Sequence, residues 1–424
     1  MKIRSVLFAV LALLSVFGAA FAQEEWFTTE EDLEQAVSDI VAAYYDTELE
    51  NPTRLAEIEN QEMTFGDATM RYTVDVIGEP DEYGYPLYIC LHGGGSSDTP
   101  DINDEQWDEM SVYYIDSVEN GVYVAVRGVR DTWDTHFNPE SYPLYDELIE
   151  NMILFYNVDP DRVYLLGFSA GGDGVYAISP RMADRFAAVN MSSGHPNGID
   201  LKNLMNLPIA LQAGVGDDAF DRNTVTGEYG AYLDDLQRTY GGFEHETWIH
   251  QGYGHNYPDN DPDGELQEVL VNPMDAADAY NGEEVETDYV DTNAVHFVDQ
   301  YTRDPNPAFV LWNLGVRASE RTVESFYWLK ADPSVTEGLI HAYFDADENA
   351  FSIDTDGLNG DFSILLKPGM VDFTSPVTFY VNDKVVTLDI EPDGDILTSS
   401  LASTGDPELM WAAEVSYAEL VNSD

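Results

Sequence analysis

The stretch "LLGFSAGGDGVY" (165–176) decides how the rest of the chain is read. An apolar run ends in Gly-Phe-Ser-Ala-Gly and passes into a small-residue segment that opens a helix. A serine between a strand and a helix in this pattern sits on a sharp turn, with its hydroxyl raised at the top of a sheet. Gly167 and Gly171 let neighbouring backbone pack closely around such a turn. Ala170 opens the helix, so its N–H can face a developing oxyanion. The five-residue pattern acquires meaning only if the chain also supplies a base, an acid and a second oxyanion donor in a workable order.

The surroundings supply the scaffold. "ATMRYTVDVIG" (68–78), "YPLYICLHGGG" (85–95), "VYVAVRG" (122–128), "DRVYLLGFS" (161–169), "FAAVNMSSGHP" (186–196), "LPIALQAGVGDD" (207–218) and "EHETWIHQGYGH" (244–255) read as strands. Helical spacing runs through "EQWDEMSVYYIDSVENG" (105–121), "YPLYDELIENMILFYN" (142–157) and "YGAYLDDLQRTYGG" (229–242). Strands alternating with helices predict an α/β fold, a mostly parallel sheet with helices on both faces. In such folds the loops at the carboxyl ends of the strands carry the chemistry.

Those loops hold the remaining parts. The segment "LHGGGS" follows a strand and matches the glycine-rich loop that supplies the other oxyanion donor, through Gly94 or Gly95. His92 precedes the serine and reads as a loop-orienting residue. Asp217, just past a strand end, is the expected acid; Asp218 and Asp221 are its rivals and read as solvated turn carboxylates. Of the eight histidines, His255 lies in the loop beyond the last strand, where the base is expected. The order Ser169, Asp217, His255 is that of the α/β-hydrolases. His255 would accept the proton of Ser169, Asp217 would fix the imidazole tautomer, and two backbone N–H groups would hold the tetrahedral oxyanion. Trp133, His136 and Phe137 follow a strand end and read equally as acyl-pocket lining or as loop packing. His195 borders the same region, as a site residue or a hydrogen-bonded loop histidine.

"HGGG" (92–95), "GFSAGGDGVY" (167–176), "ISPRMADRFAA" (178–188), "AGVGDDAFDRN" (213–223) and "HQGYGH" (250–255) resemble the secreted α/β-hydrolase esterases of the polyhydroxybutyrate-depolymerase and feruloyl-esterase type. The resemblance covers roughly residues 65 to 256. It implies Ser169 as nucleophile, Asp217 as acid, His255 as base, and Gly94, Gly95 and Ala170 around the oxyanion. The expected activity is hydrolysis of a carboxylic ester, small or polymeric. A serine peptidase of the prolyl-oligopeptidase kind shares the triad order but would need an N-terminal propeller-sized region. A non-catalytic binding protein acting through its C-terminal part is the reading from another class.

Residues 1–22 read as a signal peptide, with Lys2 and Arg4 at the start, an apolar middle and a small-residue site at Ala20-Phe21-Ala22. An exported, secreted or periplasmic product is expected. The catalytic domain is expected over 23–302. It begins with the helical "TEEDLEQAVSDIVAAYYD" and ends with an acidic excursion or lid over 256–302. Beyond the linker "TRDPNPA", residues 309–424 form short strands and turns, predicting a separate β-rich domain of sandwich type. Its "SFYWL" resembles an extension found in some relatives of the family.

The chain carries 80 acidic and 18 basic residues, a net charge of −62. That surface repels nucleic acid and anionic membranes, which are therefore not expected partners. It suits a salty medium, where counterions screen the self-repulsion. A single cysteine, Cys90, rules out an intrachain disulfide and reads as a packed thiol. "DADENAFSIDTD" (345–356) places acids like a calcium loop but has Ala350 at the glycine position and strands around it, so it reads as a hairpin turn. "DNDPDGE" (259–265) reads as an acidic solvated loop. No cofactor or metal is expected.

Overall fold

A computed structural model describes residues 30–318, 320–382 and 384–423. The expected signal peptide lies outside the described residues. Among these, no helix is long and apolar enough to cross a membrane. The chain divides into two compact units. One is Thr53–Pro305 with Val316–Arg321; the other gathers the described residues of Met1–Pro52 with Asn306–Gly315 and Thr322–Asp424.

The first unit is built on a ten-stranded sheet in the order β1-β2-β4-β3-β5-β6-β7-β8-β9-β10. Its strands are β1 (Glu62–Phe65), β2 (Ala68–Ile77), β3 (Tyr85–Leu91), β4 (Gly121–Arg127), β5 (Val158–Phe168), β6 (Ala188–Ser192), β7 (Ile209–Gly214), β8 (His245–His250), β9 (Gln267–Leu270) and β10 (Thr287–Val290). From β4 to β8 the neighbours run parallel, whereas β1, β2, β9 and β10 are antiparallel additions at the edges. The central strands are continuous apolar runs because they are covered on both faces. All of β4 is buried, and so is β3 beyond its first residue. The crossing of β3 and β4 and the antiparallel β2 give the α/β-hydrolase strand order. Helices Asp101–Tyr113, Ser141–Tyr156, Ala170–Ile178 and Arg222–Tyr240 pack on these strands. Cys90 is fully buried in β3, and burial pushes its thiol pKa up, so the packed reading fits.

Two features differ from the sequence expectation. The acidic segment after His255 is not an excursion: β9 and β10 extend the sheet, and helices Ala276–Tyr280 and Ala294–Val298 follow them. Part of its apolar set is buried, with Val269, Leu270, Ala276, Val295 and Val298 in the core, while Leu266, Val271 and Met274 stay exposed. The N-terminal helix Glu30–Glu48 groups with the second unit, not with the catalytic one, and packs on helix Gly394–Thr404. Leu33, Ile40 and Tyr44 form its buried stripe at seven- and four-residue spacing. Leu397 and Leu401 form the stripe of the other helix.

The second unit contains two sheets. One holds β11 (Phe309–Asn313), β14 (Leu339–Asp345), β15 (Ala350–Asp356), β17 (Val377–Val381) and β18 (Lys384–Leu388). The other holds β12 (Ser325–Phe326), β13 (Leu329–Lys330), β16 (Ser363–Leu366) and β19 (Ala413–Ser416). Aromatic rings join them: Trp328, beside β13, meets Phe344 at 5.8 Å and Phe351 at 5.6 Å, and Trp312 stacks on Phe326 at 5.4 Å. After β17, Asn382 has φ 53°. The calcium-loop-like stretch is the β14–β15 turn, where Asp345 accepts the N–H groups of Asp347 and Glu348. After β19 the chain turns helical. Ser416 accepts the N–H of Glu419 and starts helix Tyr417–Asn422, a Ser-x-x-Glu cap pattern.

Candidate active site

Ser169 sits between β5 and helix Ala170–Ile178 with φ 58° and ψ −117°. A non-glycine residue in such a region stores roughly 1–3 kcal/mol of strain, which the surroundings must hold. They do so by close backbone approach. The Ser169 N–H donates to Ser192 O at the end of β6 (2.9 Å). A Cβ on Gly167 would lie 2.2 Å from Gly171 O, and one on Gly171 only 2.0 Å from Leu91 O. Both glycines are therefore required by contact.

The predicted acid and base meet the serine. His255 Nε2 lies 3.0 Å from Ser169 Oγ, and His255 Nδ1 lies 2.8 Å from Asp217 Oδ2. With Nδ1–H donated to the carboxylate, Nε2 presents its lone pair to the serine hydroxyl. Asp217 follows β7 and is 3% exposed; its other oxygen accepts from Arg222 Nη1 at 3.1 Å. The rivals point elsewhere: Asp218 and Asp221 are exposed, and Asp218 accepts from the Tyr280 hydroxyl. His255 is half-buried, its ring 5.3 Å from that of Phe168, and its carbonyl accepts from Ser193 Oγ at 2.8 Å.

The glycine loop lies against Ser169, since a Cβ on Gly93 would stand 3.3 Å from Ser169 Cβ. Gly94 and Gly95 have φ of 96° and 77°, a backbone conformation that favours glycine. The two are not equivalent. The Gly95 N–H is donated to Asn103 Oδ1 at 2.6 Å, so of the two expected donors Gly95 is already engaged. The Gly94 N–H has no acceptor among the described residues. Ala170 opens its helix, where the first N–H groups have no intrahelical partner.

His92 and His136 support this loop from below. His92 Nε2 accepts the Gly128 N–H at 3.1 Å, so its proton is on Nδ1, next to Gly93 O. His136 Nε2–H donates to His92 O at 2.9 Å, and the two rings meet edge-on at 4.5 Å. Burial pushes His92 down to about 4 and His136 well below the usual histidine value, so both are neutral. His136 is fully buried, which favours the loop-packing alternative over pocket lining. Trp133 is exposed, meets Phe137 edge-on at 5.3 Å, and has its backbone against Gly95. His195 is half-exposed and tied into its own loop: its N–H donates to Asp173 Oδ1 and its Nδ1 accepts the Asn197 N–H.

Sequence reasoning missed three contributors. Asn103 holds the glycine loop through Gly95, Ser96 and Asp131. Arg222 anchors Asp217; a cation five positions after Asp217, in a chain with 18 basic residues, was a usable signal. Asp259 was read as part of a solvated loop, yet it is fully buried.

No protein-family model matches the chain. Over 152 residues, 35% of the chain, it is 31% identical to the bifunctional acetylxylan esterase/xylanase XynS20E of Neocallimastix patriciarum. The match spans 22% of that protein's length. Among solved structures, the chain is similar to a thermostable esterase, with TM-score 0.37 and 18% identity over 57% of this chain and 62% of that one. It is also similar to LpqC, a poly(3-hydroxybutyrate) depolymerase from Bordetella parapertussis, with TM-score 0.35 and 17% identity over 45% and 80% of the two chains. A ferulic acid esterase gives TM-score 0.31 and 16% identity over 46% and 90%.

Proposed function

We propose that this chain is a serine hydrolase of carboxylic esters, with Ser169 as nucleophile, His255 as general base and Asp217 as the orienting acid. The observation that carries the reading is the continuous Ser169–His255–Asp217 hydrogen-bond chain, with the serine on a strained turn at the head of a helix. Ser169 Oγ attacks the ester carbonyl while His255 Nε2 takes its proton, and Asp217 stabilises the resulting imidazolium. The Ala170 and Gly94 N–H groups receive the oxyanion, each donor worth roughly 3–4 kcal/mol of transition-state stabilisation. His255 returns the proton to the leaving alcohol. Water, activated by the same imidazole, then attacks the acyl-enzyme, releasing the acid and regenerating the serine.

The ester preference draws support from the likeness to a protein named as an acetylxylan esterase/xylanase. Acetylated xylan therefore belongs in the substrate panel beside p-nitrophenyl esters of increasing chain length and feruloyl esters. The test is fluorophosphonate labelling and ester turnover of the wild type against Ser169→Ala. Labelling and turnover that vanish in the variant support the reading; a wild type inert to both sinks it, and anilide turnover without ester turnover makes the chain a peptidase.

The export and salt adaptation expected from the sequence complete the proposal. With a net charge of −62, counterion screening should favour the compact state. A Tm that rises between low and molar NaCl supports salt adaptation, and a flat or falling one refutes it. Detection of the processed chain outside the cytoplasm tests export.

A further inference from the structure

The geometry points to Asp259 as a positioning residue for the proposed nucleophile and base, acting through Ser192 and the segment 255–259; this rests on the ester-hydrolase reading above. Asp259 lies four residues beyond His255 and is fully buried, with no cation on it among the described residues. Its carboxylate instead receives three hydroxyls: Tyr113 at 2.7 Å on Oδ1, and Tyr114 at 3.0 Å and Ser192 at 2.5 Å on Oδ2. Its carbonyl accepts the Ala294 N–H at 2.8 Å. One carboxylate thus joins the helix Asp101–Tyr113 and the residue after it, the end of β6, and its own segment.

What makes this junction relevant to chemistry is the position of Ser192. The carbonyl of Ser192 accepts the N–H of Ser169, and a Cβ on Gly172 would lie 2.5 Å from that same oxygen. The next residue, Ser193, donates its hydroxyl to the His255 carbonyl at 2.8 Å. Adjacent residues of one strand end therefore hold the turn that carries the nucleophile and the loop that carries the base. Asp259 fixes the Ser192 side chain and, along the chain, the far end of the His255 segment.

The polar groups beneath continue the bracing. Asn190 Nδ2 donates to Ser192 Oγ at 2.9 Å, Gln212 Nε2 donates to Asn190 Oδ1 at 2.7 Å, and Gln212 Oε1 accepts from His250 Nε2 at 3.0 Å. The His250 ring stacks on Tyr257 at 4.1 Å, and the Tyr257 hydroxyl donates to Gln212 O at 2.9 Å. Ser192 Oγ accepts from Asn190 and so must donate to Asp259; the direction of the chain ends on the carboxylate. Replacing that acceptor reverses or breaks the last link and frees Ser192 to shift. Displacements of about 1 Å in a reacting constellation cost up to about a hundredfold in rate.

The experiment compares Asp259→Asn, Ser192→Ala and the double variant with wild type, using kcat, KM, fluorophosphonate labelling rate and Tm. Asp259→Asn keeps the shape but turns one acceptor into a donor. It is expected to lower kcat and labelling rate about tenfold or more while KM stays within about twofold. Ser192→Ala is expected to lower kcat by less, and the double variant to fall no further than Asp259→Asn, because both act through one link. A folded Asp259→Asn with wild-type kcat and a lowered Tm overturns the inference and leaves Asp259 a fold-stabilising residue. If Asp259→Asn does not fold, Ser192→Ala decides: wild-type kcat and labelling overturn the inference, and a kcat-only loss supports it. A wild type that neither labels nor turns over esters overturns the hydrolase reading itself, a result distinct from active wild type with unaffected variants.

Discussion

Replacing Asp217 by asparagine tests the triad in a way that Arg222 makes specific to this chain. The carboxylate holds His255 Nδ1 on one oxygen and Arg222 Nη1 on the other. An asparagine has one oxygen to offer, and Arg222 can only donate. Hydrogen bonds to a charged group are worth about 1.5–3 kcal/mol, so the amide oxygen should settle on Arg222. The amide NH₂ then faces His255 Nδ1, which must become the acceptor, and the ring proton moves to Nε2, opposite Ser169 Oγ. The base is spent on the wrong side. A loss of roughly 10⁴ in kcat is expected, with the fold retained. Removing the arginine as well should release the amide. In Asp217→Asn/Arg222→Met the side chain can flip, offer its oxygen to Nδ1–H and restore the productive tautomer. The 1.5–3 kcal/mol that held the wrong orientation corresponds to a recovery of about ten- to a hundredfold over the single variant. The assay is kcat/KM on a p-nitrophenyl ester, with fluorophosphonate labelling as a substrate-independent check. An Asp217→Asn enzyme within tenfold of wild type, or a double variant no faster than the single one, refutes the reasoning.

Three further outcomes follow from the geometry. Gly95→Ala places a Cβ 3.0 Å from Thr132 O and 3.2 Å from Ala170 Cβ at φ 77°, so it should push the glycine loop off the nucleophile. It is expected to cut kcat by about 10²–10³, the scale of one lost oxyanion donor, measured by steady-state turnover. Arg321 is buried against Asp146 and Asp184, and Arg321→Met takes its guanidinium from both carboxylates, leaving Asp146 with Arg185 alone. Denaturant unfolding should show a loss of about 3–5 kcal/mol. Burial raises the Asp173 carboxyl to about 6. The folded state then holds this proton more tightly than the unfolded one, so its contribution favours folding below the ordinary carboxyl pKa and is lost as pH rises through about 6. Relative to wild type, Asp173→Asn should gain about 2–3 kcal/mol at pH 8 and little at pH 3, read from unfolding curves at the two pH values.

The parts of the molecule that were legible in the sequence share a physical cause. Central parallel strands are covered on both faces, so β3, β4 and the second half of β5 appear as apolar runs, and the loops at their ends can be found by counting from them. That counting singled out Ser169, Asp217 and His255, and the His255 side chain lies within hydrogen-bond distance of the other two. The edge additions were not, because β9 and β10 are four residues each, carry Glu268 and Asp288, and bury few side chains. In so acidic a chain a buried carboxylate such as Asp259 looks like its solvated neighbours until its hydroxyl partners, far away in sequence, are known. His136 was open between pocket and packing because both roles place an aromatic ring after a strand end; its contact with His92, across 44 residues, decides it. Asn103 acts through a side chain reaching a loop eight residues away, a relation that no local pattern encodes. The N-terminal helix showed its stripe plainly, but a stripe does not say which core receives it.

Cys90 gives the first unit a built-in chemical clock. It is the one thiol in the chain, it is fully buried, and it lies in β3, the strand that leads into the glycine loop and touches Gly171. An alkylating reagent can reach it only when the layer packed over that strand, with Met110 and Tyr114, opens. Its rate of modification therefore times the opening of the scaffold beneath Ser169, without any engineered label. Measured beside the decay of activity, it would separate inactivation by a shifted loop from inactivation by an opened scaffold.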